Sequence, residues 1–99
     1  MKKIIEIKKI LLDHKKELKQ KYGVKEIGIF GSYIKERQTE SSDIDILVEF
    51  EDDAKLSLID VAKLEFELSD LLGVKVDLLE KKNIKPYIKD SILSEVVYV

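Results

Sequence analysis

Asp43 and Asp45 stand one residue apart at the start of the apolar run Ile46-Leu47-Val48. In an extended chain alternate side chains share a face, so both carboxylates project to one side while Ile44, Ile46 and Val48 line the other. Their Cα atoms would lie about 7 Å apart, near enough for both to turn toward shared cations. Two like charges so placed repel each other unless a cation or water intervenes, and divalent metal binding is the chemistry the pair points to. Upstream, Gly31-Ser32 closes another apolar run. A turn opening a helix there presents backbone N–H groups which, with the Ser32 hydroxyl, form an anion site. In Val74-Lys75-Val76-Asp77-Leu78-Leu79 the alternation sets Asp77 opposite Val74, Val76 and Leu78. A neighbouring strand could hold Asp77 beside the pair, so that three carboxylates share two metal ions. Lys35 or Arg37 could neutralise phosphate charge, although solvation is the usual fate of such side chains.

Helices and strands must position these groups. Ile4, Ile7, Leu11, His14 or Lys15, Leu18 and Tyr22 recur at three- and four-residue spacing, which predicts a helix over 3–22 ended by Gly23. His14, the only histidine, has no second His or Cys beside it and reads as a helix-surface residue. A strand is expected over 24–30, with Ile27 and Ile29 on one face and Gly28 marking close approach by a neighbouring backbone. A short helical turn over 33–37 and a polar connection over 38–42 lead to a second strand over 43–50. Ser57 and Asp60 form a capping box for a helix over 57–72, apolar around much of its girth and ended by Gly73. The third strand covers 74–79. Asn83 can cap a last helix over 84–95, with Pro86 in its first turn, and 96–99 reads as a final strand or apolar tail. This order predicts an α/β (α+β) fold: a mixed sheet with helices packed on one face and an open face that carries the carboxylates.

Bulk composition limits the functions available. At 99 residues the chain reads as one domain, residues 1–99, so a large substrate must meet an exposed face. Charged residues make up 38% of it, which fits a folded domain with an ionic surface. With no cysteine, thiolate metal sites are excluded and hard, oxygen-ligated metals remain. A formal net charge of -2 gives no reason to expect direct nucleic-acid binding, and the lysines crowded between Lys2 and Lys21 read as a solvated helix face. No apolar run is long enough to span a bilayer, and the cytoplasm is the expected location.

Gly31-Ser32 followed by Asp43-Ile44-Asp45 running into Ile46-Leu47-Val48 resembles the signature of the polymerase-β-like nucleotidyltransferase superfamily. The short length and the ending Lys85-Pro86-Tyr87-Ile88 through Ile92-Leu93-Ser94-Glu95 are similar to its minimal nucleotidyltransferase (MNT) branch. The resemblance implies that Gly31 and Ser32 hold a nucleotide triphosphate, with Lys35 close by. It also implies that Asp43 and Asp45 bind two Mg2+ ions, and that the third family carboxylate maps onto Asp77. Glu36 departs from the small residue or glycine of many members.

Nucleotidyl transfer suits a carboxylate cluster on a rigid sheet, because cations held there stabilise both the attacking and the departing oxygens. The chain offers no obvious acceptor site of its own. The resemblance implies a companion HEPN toxin as partner in a hetero-oligomer, with the MNT chain acting as antitoxin by moving AMP from ATP to a tyrosine of that toxin. A catalytically inactive antitoxin that masks the toxin by binding alone is the rival expectation. Transfer to a small molecule is disfavoured by the missing substrate domain.

Overall fold

The apolar stripe of the first segment folds as α1 (Ile4–Tyr22), burying Ile7, Leu11, Leu18 and Tyr22 and ending at Gly23. His14 lies on its flank, partly buried, with Nδ1 2.9 Å from the Ile10 carbonyl oxygen. The chain then runs through β1 (Val24–Phe30), β2 (Ile44–Phe50), α2 (Leu58–Leu72), β3 (Val76–Glu80), a 3-10 turn at Lys81–Asn83, α3 (Pro86–Glu95) and β4 (Val97–Tyr98). This computed structural model describes residues 3–31 and 43–99. Ser32, Lys35, Glu36 and the helical turn expected over 33–37 lie outside the described residues. Among the described residues no helix is long and apolar enough to cross a membrane.

The strands form one mixed sheet in the order β3-β2-β1-β4. β1 is antiparallel to both neighbours, and β2 and β3 are parallel. Ile27 and Ile29 of β1, Ile44, Ile46 and Val48 of β2, and Val76 of β3 join Leu64, Leu68 and Leu72 of α2 and the α1 residues in one buried core. Alternation along the strands builds that core, since each buried aliphatic side chain contributes about 1.5–3 kcal/mol by leaving water. Val74 and Leu78, expected in it, are only partly buried.

Several expected boundaries move, each for a local reason. β3 starts at Val76 rather than at 74, because Val76 is the residue that pairs with Ile44, where β2 begins. The last helix starts at Pro86, not at 84, and its N-cap is Lys85 without a side-chain cap. Proline is favoured in the first turn and forces the preceding residue to be extended, as Lys85 is with φ -67° and ψ 139°. Asn83 therefore caps nothing there, and its amide donates to Glu80 Oε2 at 3.2 Å. α2 keeps its capping box, with Asp60 N–H donating to Ser57 Oγ and Ser57 N–H donating to Asp60 Oδ2. It is not apolar-packed all round, since Leu58, Ile59 and Phe66 are exposed.

As an edge strand, β3 presents N–H groups that an adjoining chain could pair with. α2 covers them. Val76 N–H donates to Ser69 Oγ at 3.0 Å, Leu78 N–H donates to Glu65 Oε2 at 3.0 Å, and the Ser69 hydroxyl donates to the Glu65 carbonyl. Ser69→Ala leaves the Val76 N–H without this partner and is expected to cost about 1–2 kcal/mol, read as a lower urea midpoint at unchanged slope.

Two faces of the sheet serve different ends. β2, β3 and β4 run the same way, but the step from β2 to β3 and the step from β3 to β4 go in opposite directions across the sheet. Right-handed crossovers then put α2 on one face and α3 on the other. Leu47, which shares the face of Asp45, is correspondingly buried at 1% exposure and stands outside the core formed by α1 and α2.

Candidate active site

The aspartates converge because of strand register. Asp45 is the second residue of β2 and pairs with Asp77, the second residue of β3, in the parallel ladder. Paired residues of a ladder point the same way, so both carboxylates stand on the face opposite the core. Asp43 sits just ahead of β2, at the ladder's entrance, where Ile44 N–H donates to the Lys75 carbonyl. Asp77 is exposed, whereas Asp43 and Asp45 are partly buried. Lys75 Nζ approaches Asp43 Oδ2 at 3.9 Å, a loose and well-solvated ion pair.

Gly31 meets the same carboxylates from β1. Phe30 pairs with Asp45, and the chain turns at Gly31 with φ 78°. A Cβ added to Gly31 would overlap Asp45 Oδ2 and lie 3.0 Å from Asp45 Cγ. The glycine thus has a role besides any phosphate contact, which is to leave room for the Asp45 carboxylate against the backbone. Gly28 admits the opposite edge of the sheet. A Cβ there would lie 2.5 Å from Val96 Cγ1 and 3.1 Å from the Val97 carbonyl oxygen.

Burial, followed by the charges of Asp77, Asp43 and Glu95, pushes the Asp45 carboxyl above its ordinary pKa. Lys75 and Glu95 are neighbours that the sequence did not single out for the site. The strand alternation already put Lys75 on the face of Asp77, but Glu95 lies fifty positions beyond Asp45 and nothing local announces it.

All the donors here are carboxylate oxygens, the set that suits a hard divalent ion, and a cation is what relieves their mutual repulsion. Among the described residues no three His, Cys, Asp or Glu side chains close into a ready-made cage. Magnesium fits such an open arrangement, since it is usually held by one or two carboxylates together with water and substrate phosphates. A groove of about 550 Å3 lies between the end of β2, the start of α2 and the 3-10 turn, lined by Phe50, Leu56, Val61 and Lys81 among others. None of the three aspartates lines it, and it is not the site of this chemistry.

The raised pKa of Asp45 has a consequence for stability in the absence of metal. The folded state holds the Asp45 proton more tightly than the unfolded chain, so between the unfolded and folded pKa values stability falls as pH rises. In chelator, the difference in melting temperature between wild type and Asp45→Asn is expected to widen with pH through that window and then level off. Thermal melts of both proteins from acid to neutral pH check this.

A family profile described as nucleotidyltransferase domain matches residues 11–99. A Methanocaldococcus jannaschii chain provisionally named protein adenylyltransferase MJ0128 is 58% identical over 100 residues, covering the whole of both chains. Protein adenylyltransferase MntA of Thermococcus cleftensis is 50% identical over 94 residues, covering 95% of this chain and 93% of that one. Among solved structures, a provisionally assigned minimal nucleotidyltransferase superposes with a TM-score of 0.72 at 30% identity, over 94% of this chain and 88% of the other. An MNT antitoxin complex with the tri-AMPylated HEPN toxin of Shewanella oneidensis matches at a TM-score of 0.66 and 22% identity, over 93% of this chain and 70% of the matched chain. That last likeness is one of fold.

Proposed function

The chain belongs to the nucleotidyltransferase-domain family, in its minimal branch, and from that premise we propose that it is a protein adenylyltransferase acting as the antitoxin of a HEPN toxin. The observation that carries the proposal is the placement of Asp45 beside Asp77, with Asp43 at the ladder's entrance and Gly31 against the Asp45 carboxylate. The name of the MntA relative and the AMPylated toxin of the MNT complex support the AMP group as cargo and a HEPN protein as acceptor.

In this reading Asp43, Asp45 and Asp77 would hold two Mg2+ ions, and Gly31, Ser32 and Lys35 would be the residues that bind the triphosphate of ATP. Bound magnesium supplies charge neutralisation at the attacking and leaving oxygens. Asp43 and Asp45 fix its position on the sheet. Asp77, exposed on β3, takes the proton of the acceptor tyrosine. The tyrosine Oη then forms the bond to the α-phosphorus, the bond from that phosphorus to the bridging oxygen breaks, and pyrophosphate leaves. Gly31 keeps the Asp45 carboxylate in place without itself reacting.

Incubating the protein with α-labelled ATP, Mg2+ and the HEPN partner tests this directly. Label is expected on a tyrosine of the partner, and chelation of the metal is expected to abolish transfer. Absence of label in the complete reaction would sink the enzymatic reading. The exposure of Leu58, Ile59 and Phe66 on α2 favours, as a second reading, an antitoxin that masks its partner by contact alone. That reading predicts neutralisation of the toxin without any transfer of label.

A further inference from the structure

Lys75 is fixed at the mouth of the aspartate site by its backbone and left free at its tip. Its carbonyl accepts from Ile44 N–H at 2.9 Å, which sets it beside Asp43 at the entrance of the β2–β3 ladder. Two residues before Asp77, its side chain takes the same face, and Nζ stands 3.9 Å from Asp43 Oδ2. Among the described residues it is the cation that pairs with one of the three aspartates. The pair adds little to stability, because the Lys75 side chain is 75% exposed and the contact is long. An ammonium so loosely held on a flexible stem can turn to a stronger anion that forms within reach of Asp43.

Strand order selects that anion, given the reading of the chain as a tyrosine-directed adenylyltransferase, on which the inference rests. Gly31, which in that reading faces the triphosphate, lies on the β1 side of Asp45, whereas Lys75 and Asp77 lie on the β3 side. In-line transfer sets the attacking and leaving oxygens on opposite sides of the phosphorus. Pyrophosphate then departs on the β1 side, and the acceptor enters over β3, the edge of the sheet, where a large partner can approach. We infer that Lys75 is a catalytic residue of the acceptor side, its ammonium donating a hydrogen bond to the tyrosine oxygen as that oxygen attacks. The tyrosine proton passes to Asp77, the bond from Oη to phosphorus forms as pyrophosphate leaves, and Lys75 keeps its own protons throughout. A positive charge placed in advance where negative charge develops lowers the barrier, the more so once the docked partner excludes water.

Single-turnover transfer from α-labelled ATP to the HEPN partner, with both saturating, tests this together with two binding measurements. Lys75→Met is expected to slow transfer by about ten- to a hundredfold. Mn2+ binding, followed by the loss of the free-ion EPR signal, and calorimetric binding of the α,β-methylene analogue of ATP are expected to weaken by no more than about twofold. Lys25→Met, an exposed change of the same charge at the far end of β1, is expected to transfer at the wild-type rate. A partner carrying fluorinated tyrosine, whose phenol loses its proton more readily, is expected to narrow the gap between Lys75→Met and wild type, because that oxygen then needs less stabilisation. Thermal melts correct each rate for the folded fraction. A wild-type rate in Lys75→Met overturns the inference, as does a loss explained by weakened binding of Mn2+ or the analogue, or a gap that fluorinated tyrosine leaves unchanged. If wild type labels no tyrosine, the adenylyltransferase reading itself fails, whereas labelling by wild type that Lys75→Met matches removes Lys75 alone.

Discussion

Asp45→Asn is expected to lower the rate of AMP transfer by about a hundred- to a thousandfold, while the metal-free protein melts at the same temperature as wild type or higher. The two halves of this expectation have one cause. Asp45 is pressed by burial and by the charges of Asp77, Asp43 and Glu95, so its ionised form is disfavoured in the fold. The near-isosteric amide removes that repulsion and keeps the ladder with Asp77 and Phe30 intact. It also removes the negative oxygen that a divalent ion needs. Single-turnover transfer from α-labelled ATP, together with melts in chelator, reads both effects. A variant that transfers AMP at the wild-type rate would remove Asp45 from the mechanism. A markedly lower melting temperature would mean that the carboxylate makes a stabilising contact instead.

Gly31→Ala is expected to lose about a hundredfold in transfer rate and about 1–2 kcal/mol of stability. The stability loss comes from the backbone, since Gly31 has φ 78°, a region that costs a residue with a Cβ roughly that amount. The loss in rate has a different origin. The new methyl group would overlap Asp45 Oδ2 and force the carboxylate to shift, and displacement of a catalytic group by about 1 Å is enough for a change of that size. Mn2+ affinity should fall along with the rate, because the same carboxylate serves both. If stability drops while Mn2+ affinity and rate stay at wild-type values, Gly31 is a turn residue only.

Local periodicity made much of the fold legible. The stripe from Ile7 to Tyr22, the capping box of Ser57 and Asp60, and the alternation in β1 and β2 are physical rules that act over a few residues. They predict which residues turn inward, and Ile27, Ile29, Ile44, Ile46 and Val48 do. Boundaries were less legible where they depend on a partner. β3 begins where β2 gives it something to pair with, and α3 begins where Pro86 removes an N–H and holds Lys85 extended.

The aspartate pair shows the same division. That Asp43 and Asp45 share a face follows from the two-residue repeat of an extended chain, and Asp77 follows by the same rule on its own strand. Which residues lie beside them does not follow. The pairing of Asp45 with Asp77 is fixed by the parallel register of β2 and β3, the fit of Asp45 against Gly31 by the turn out of β1, and the position of Glu95 by the return of the chain across the sheet to β4. The sequence alone determined the kinds of side chain and the faces they take, because those depend on local geometry. Only the tertiary structure decided their neighbours, because strand register and crossover direction are set by packing between segments far apart in the chain.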